Sequence, residues 1–267
     1  YHSVETLVEE SRPKGPHMHL FDRDIALTER ADGIFSATVT ANWTVNGNAN
    51  GGYLMALATH AMIQKTDKQG PPIITTTFIS RTEPGEVELK VEPISRSKQF
   101  DRYQCPLVQN DKERIRVVGT FSLEDDRQGE KRYERLEPLV APPHECVPMP
   151  EIPNYTLYDN MDVRFDPSCA GWLNGNLSDT SELRGWMRFK EHRPFDLLAA
   201  VIMADAFPPA VLASHGMNDW IPAIECSINI RNCPSTSWLK CVFRTCFIQN
   251  GILEEDGELW DEHGDLV

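Results

Sequence analysis

No stretch of this 267-residue chain is long and apolar enough to span a bilayer, so the sequence offers no transmembrane helix. It has no Cys-x-x-Cys pair, no Gly-x-Ser-x-Gly elbow, no phosphate-cradling P-loop and no Gly-x-Gly-x-x-Gly. Those absences remove dithiol redox chemistry, elbow-serine catalysis, nucleotide triphosphates and dinucleotides from first consideration. None of the eight histidines stands at metal-ligand spacing from a cysteine or another histidine, so no metal is expected. Basic residues are also short: 26 Lys and Arg face 40 Asp and Glu, a net charge of −14. The resulting field repels phosphate, which argues against nucleic acid or an anionic membrane as partner.

The N-terminus, Tyr1 to Glu5, lacks a basic segment followed by an apolar one, so no secretory leader is expected. Seven cysteines (Cys105, Cys146, Cys169, Cys226, Cys233, Cys241, Cys246) are scattered and odd in number, which reads as free thiols in a reducing compartment. A cytoplasmic location follows as an expectation. A peroxisomal address stays open, because it would lie at the C-terminal end of a complete chain.

What the chain does have is one plan written twice. Apolar residues make up 40% and charged residues 25%, the composition of a globular protein of one large or two ordinary domains. Residues 1–20 are polar and contain Pro13, Gly15 and Pro16, an expected arm. Ile34 to Val45 has strand character. Asn46-Gly47-Asn48-Ala49-Asn50 is a loop ending at a helix start, with Asn50 as N-cap. The helix from Gly51 to about Gln64 is apolar almost all round, so burial is expected. Strands are expected at Ile73 to Ser80, Val87 to Ile94, Phe100 to Val108 and Ile115 to Leu123, with a turn at Asn110-Asp111.

Residues 126–154 are charged and then proline-rich, an extended linker between repeat one (21–125) and repeat two (155–267). Repeat two opens with a strand over Tyr158 to Phe165. A second apolar helix spans Phe195 to Leu212, with Pro208-Pro209 expected to kink or end it. Ile221 to Ile230 has a two-residue period, with Ile224, Cys226, Ile228 and Ile230 on the apolar face. Trp238 to Ile248 is a further strand. The acids at Glu254, Glu255, Asp256, Glu258, Asp261, Glu262 and Asp265 read as a solvated hairpin, cut off one strand early.

Helix followed by antiparallel strands, twice, makes the fold class α+β. Three segments carry a resemblance: Asn50-Gly51-Gly52-Tyr53-Leu54, Ala204-Asp205-Ala206-Phe207-Pro208-Pro209, and Leu259 to Val267. Together, in this order, they resemble the thioesterase-like superfamily related to acyl-CoA thioesterase II. The resemblance covers roughly residues 20–267. It implies a double hotdog fold, in which each repeat wraps a long buried helix in an antiparallel sheet. It also implies hydrolysis of acyl-CoA thioesters, with no cofactor beyond the coenzyme A of the substrate. Hotdog sheets often pair side by side, which leaves a homo-oligomer open.

In that family an Asp on the second-half helix, a Thr or Ser on the next strand and a Gln near the chain end hold a water against the thioester. Asp205 matches the Asp. Ala223 stands where the family has Thr, with Ser227 as the expected substitute, and the Gln would fall beyond Val267. The amides of Gly52 and Tyr53, facing Asp205 across a cleft, are the expected oxyanion donors. The alternative use of Gly51 and Gly52 is close helix packing.

Asn46, Asn48 and Gly51 are expected to line the cleft, or in the case of the asparagines to stabilise a turn. Arg96 and Lys98 are expected to meet coenzyme A phosphates, against the alternative of a solvated turn. Two further functions stay open at this stage. One is a hotdog dehydratase, isomerase or cyclase acting on a biosynthetic intermediate; the other is a non-catalytic acyl-binding protein.

Overall fold

Residues 18–124, 131–217 and 221–267 are described by the structure, a computed structural model. Most of the expected N-terminal arm (residues 1–17) and the start of the expected linker (125–130) lie outside the described residues. The first half begins with a short helix, α1 (Leu20–Asp24), and the strands β1 (Thr28–Ala31) and β2 (Ile34–Val39). The long helix α2 (Gly51–Ile63) follows. Then come β3 (Gly70–Phe78), β4 (Gly85–Lys90), β5 (Glu92–Arg96), β6 (Phe100–Gln109) and β7 (Lys112–Ser122).

The second half has α3 (Leu157–Asn160), β8 (Met161–Phe165), β9 (Ser181–Phe189), α4 (Leu197–Met203), α5 (Leu212–His215), β10 (Glu225–Asn229), β11 (Leu239–Thr245) and β12 (Asp256–Trp260).

The first sheet runs β1-β2-β4-β6-β7-β3-β10, with β5 also on β6, and every pairing is antiparallel. The alternating burial of β3 and β6 matches their two-residue period, so one face is core and the other meets solvent. The second sheet runs from Val147–Pro148 through β8, β9 and β11 to β12. One strand crosses between the halves: β10, from repeat two, pairs with β3 of repeat one, Ile228 opposite Ile74. The sequence periodicity located this strand but not its partner.

Helix α2 sits against the first sheet. Tyr53, Met55, Ala56, Leu57, Ala58, Ala61 and Met62 have no solvent exposure. Each large apolar side chain so buried stabilises the fold by about 1.5–3 kcal/mol. The Asn50 side chain accepts from Tyr53 N at 3.0 Å and caps the helix as expected.

Below α2, Asp24 gathers the entry to the helix. Its Oδ2 accepts from Thr40 Oγ1 (2.9 Å), Asn42 Nδ2 (2.7 Å) and Trp43 Nε1 (2.9 Å), and its backbone oxygen accepts from Tyr53 Oη (2.8 Å). Replacing this buried acid by alanine orphans three donors at once. Asp24→Ala is therefore predicted to lose about 3–5 kcal/mol in urea unfolding. A loss under about 1 kcal/mol would show that water replaces the carboxylate.

Three second-half elements differ from expectation. The strand expected over Ile221 to Ile230 spans only Glu225–Asn229, before which the chain is not paired as strand, and Ile224, expected on its apolar face, is exposed. The strand expected over Tyr158 to Phe165 starts only at Met161; Tyr158 lies in α3. The helix expected from Phe195 to Leu212 is interrupted. It ends at Met203, the chain turns through Ala204 to Phe207, and α5 begins at Leu212. Pro208 and Pro209 supply no N–H to continue the ladder, and the residue before a proline is driven out of helical geometry. Asp205 thus stands in a turn just past the helix end.

Candidate active site

The turn after α4 brings Asp205 directly onto the N-terminus of α2. Gly52 N donates to Asp205 Oδ2 at 2.8 Å, and Asn50 Nδ2 donates to the same oxygen at 2.9 Å. Asn50 Nδ2 also reaches the Asp205 backbone oxygen at 3.0 Å. Asn50 therefore does two jobs: its Oδ1 caps α2 while its amide nitrogen holds the acid.

The approach is close enough to demand glycine. A Cβ on Gly51 would lie 2.8 Å from Asp205 Oδ2 and from the Phe78 ring, and one on Gly52 would lie 2.6 Å from the Ile202 backbone oxygen. Close packing therefore accounts for both glycines, against the α4 backbone at Gly52 and against Asp205 and Phe78 at Gly51.

Burial pushes the Asp205 carboxyl up to about 6, against the amides of Gly52 and Gly51 and the Asn50 side chain, which favour the anion. An anion at a helix N-terminus is stabilised by the unpaired amides and the helix dipole, so the site tolerates a carboxylate without a cation. A carboxyl that ionises near neutrality is chemically able to take a proton from water.

Several expected site residues are placed elsewhere. The Gly52 and Tyr53 amides do not face Asp205 across a gap: Gly52 N is bonded to it and Tyr53 N is taken by the Asn50 cap. Ser227 is exposed and lies opposite Thr75, with the two hydroxyls 3.2 Å apart. Alternation along β10 turns Cys226, not Ser227, inward, where its thiol is raised to about 12 by burial and then by the charge of Asp205.

Asn46 and Asn48 stabilise a hairpin turn, Asn48 Nδ2 donating to Asn46 O at 3.2 Å, with Asn46 and Gly47 at positive φ. They also line a surface pocket of about 490 Å³ with Gly47, Arg81, Glu83 and Pro84. Arg96 and Lys98 belong to the other end of α2. The Arg96 guanidinium donates to Lys65 O at 3.4 Å, beyond the helix C-terminus and roughly 20 Å along its axis from Gly52. Lys98 is exposed in the turn between β5 and β6.

Residues 39–122 of this chain match the acyl-CoA thioesterase N-terminal domain, and residues 143–267 match the acyl-CoA thioesterase C-terminal domain. The chain belongs to the acyl-CoA thioesterase family. Its fold is that of the hot dog thioesterases.

A candidate thioesterase II from Thermobifida fusca YX superposes with a TM-score of 0.86 at 21% identity, covering 93% of this chain and 96% of the other. A conserved protein with a hot dog fold from Alicyclobacillus acidocaldarius gives 0.85 at 20% identity, covering 94% and 95%. The acyl-CoA thioesterase II TesB2 from Mycobacterium marinum gives 0.71 at 14% identity, covering 92% and 94%. A comparison with curated proteins finds no match.

Two groups of this thioesterase, Tyr158 and Glu255, feel the charge of Asp205, and a third, Thr76, lies opposite Cys226, none of them singled out from sequence. The Tyr158 phenol feels the charges of Asp205, Tyr155 and Glu255, is pushed up chiefly by burial, and so stays a neutral donor; no described residue hydrogen-bonds its hydroxyl. Glu255 Oε2 accepts from Ala210 N at 2.5 Å. Thr76, opposite Cys226 in register, is fully buried, and its Oγ1 has no partner among the described residues. Thr76 shares its face of β3 with Phe78, whose ring abuts Gly51.

The only advance signal was Cys226 on the apolar face of its strand. Among the described residues, no three His, Cys, Asp or Glu cluster to hold a metal ion, and no helix is long and apolar enough to cross a membrane.

Proposed function

We propose that this acyl-CoA thioesterase works through a water held by Asp205. The observation that carries the reading is the half-buried carboxylate fixed through Oδ2 by Gly52 N and the Asn50 side chain. Those bonds leave Oδ1 to hold a water and take its proton as the water attacks the thioester carbon. The carbonyl oxygen gathers charge in that step and needs a donor. The Tyr158 hydroxyl, neutral and unengaged by the described residues, supplies it. Acyl-CoA thioesters are the substrate class; coenzyme A leaves as the thiol.

The test is the acid side of the pH–rate profile. Catalysis requires the ionised base, and Asp205 ionises at about 6 rather than at its ordinary 3.8. Turnover should therefore rise with pH through about 6, reported by kcat/KM on the most reactive acyl-CoA. A profile flat from pH 5 to 7 rules out Asp205 as base.

A further inference from the structure

We propose that Asn50 is a positioning residue for the hydrolysis: its side-chain amide locks the acid of the second half against the helix start of the first, so that one carboxylate oxygen alone faces the reacting water. The inference rests on the Asp205-water reading above and names the group that makes its geometry unique.

The choice of residue is the first sign. Ser, Thr, Asp and Asn all cap helices, because each offers an oxygen to a free amide of the first turn. Of these only Asn also carries an amide nitrogen with two protons, and here both ends of the side chain are in use. Oδ1 accepts from Tyr53 N at 3.0 Å, which fixes the orientation of the amide: the nitrogen must face the other way. There it meets two acceptors, Asp205 O at 3.0 Å and Asp205 Oδ2 at 2.9 Å. The two protons of Nδ2 thus serve two atoms of one residue, and no donor of the side chain is left over.

Asn50 is itself held from within the first half. Its N donates to Trp43 O at 2.9 Å, and its O accepts from Leu54 N at 3.2 Å. The residue is buried, with 8% of its surface exposed. Its place is therefore set by the start of α2, and Asp205, 155 residues later, is fitted to it.

The two contacts do different things. The bond to Asp205 O places the backbone of the turn. The bond to Oδ2, shared with Gly52 N at 2.8 Å, stops the carboxylate from rotating. Two donors on Oδ2 draw charge from it and leave Oδ1 as the oxygen that takes a proton. Without Nδ2 the carboxylate turns about its Cβ–Cγ bond, and either oxygen can meet the water.

The same bonds favour the anion against burial. The titratable groups that feel Asp205 are Tyr158 of α3, Cys226 of β10 and Glu255. None of them is a cation, so hydrogen bonds are what hold down the proton affinity of the acid.

The test uses the intact protein and the acyl-CoA it turns over fastest. Asn50→Ser keeps an oxygen for Tyr53 N and removes Nδ2. Expected are a Tm within about 3 °C of wild type, a KM within about threefold and a kcat lower by about 10–100-fold. The acid limb of the pH–rate profile should move up from about pH 6, since the anion has lost a donor. Asn50→Asp also keeps the cap, but it sets a second carboxylate where the amide was. Its limb should lie higher still. Added to Asp205→Asn, the serine substitution should cost less than about twofold more, because no carboxylate remains to be positioned.

A wild-type acid limb in both Asn50 variants, or losses that multiply in the double variant, overturn the proposal and leave Asn50 as a helix cap alone. Failure of the underlying reading looks different: Asp205→Asn by itself would then hydrolyse acyl-CoA at the wild-type rate.

Discussion

Asp205→Asn should lower kcat on acyl-CoA by about 10³–10⁴-fold while making the protein harder to unfold at pH 7.5. The first half follows from chemistry. Asparagine can accept from Gly52 N and face Asn50, so the turn keeps its shape, but an amide takes no proton from water.

The second half follows from linkage. The folded protein raises Asp205 from 3.8 to about 6, so between those values the native state holds more protons than the unfolded chain. Stability therefore falls as pH rises through that window and stays lower above it. The amide does not ionise and escapes this loss. The gain at pH 7.5 is on the order of 1–2 kcal/mol, discounted because Asp205 is partly exposed. Urea unfolding at pH 4 and pH 7.5 checks the sign: the advantage of the variant should vanish at the lower pH. A variant less stable than wild type at pH 7.5 would mean that the anion is held better than it is desolvated.

The parts of this site that were readable from sequence are those fixed by local chemistry. Asn50 before two glycines and an apolar run gave the cap and the start of α2, because capping is decided within four residues. The two prolines after Phe207 marked where α4 would fail, although the extent of the failure needed the structure: the acid lies outside the helix. Ser227 illustrates the opposite case. The two-residue period of its strand already set Cys226 on the apolar face, and the search for a hydroxyl chose the solvent face instead. Strand alternation outranks residue type at such a position.

Glu255 could not be told from its six acidic neighbours, since only a contact with Ala210, 45 residues earlier, distinguishes it. Tyr158 was hidden for a related reason, its short helical turn being dictated by packing rather than by an apolar period. The pairing of β10 with β3 is likewise a long-range choice that periodicity does not encode.

A loss of folded structure together with activity is expected at Gly52. A Cβ there would stand 2.6 Å from Ile202 O and 3.0 Å from Ile202 Cα, both backbone atoms of α4. Neither can move alone, so the two helices must part. Gly52→Ala should cost about 2–4 kcal/mol, a fall of roughly 5–15 °C in Tm for a chain of this size, and should abolish turnover because Gly52 N leaves Asp205.

Gly51→Ala separates the two effects. Its Cβ would meet the Asp205 carboxylate and the edge of the Phe78 ring, both ends of side chains that can rotate away. Activity should fall at least about 100-fold with a loss of about 1–2 kcal/mol, since the base is displaced while the helix contact stays. Gly47→Ala is the control. Its Cβ meets nothing within 4 Å and carries only the strain of φ +77°, so about 1 kcal/mol is lost and turnover stays near wild type. If Gly51→Ala and Gly47→Ala behave alike in kcat, the contact between the helix start and Asp205 is packing, and the base must be sought elsewhere.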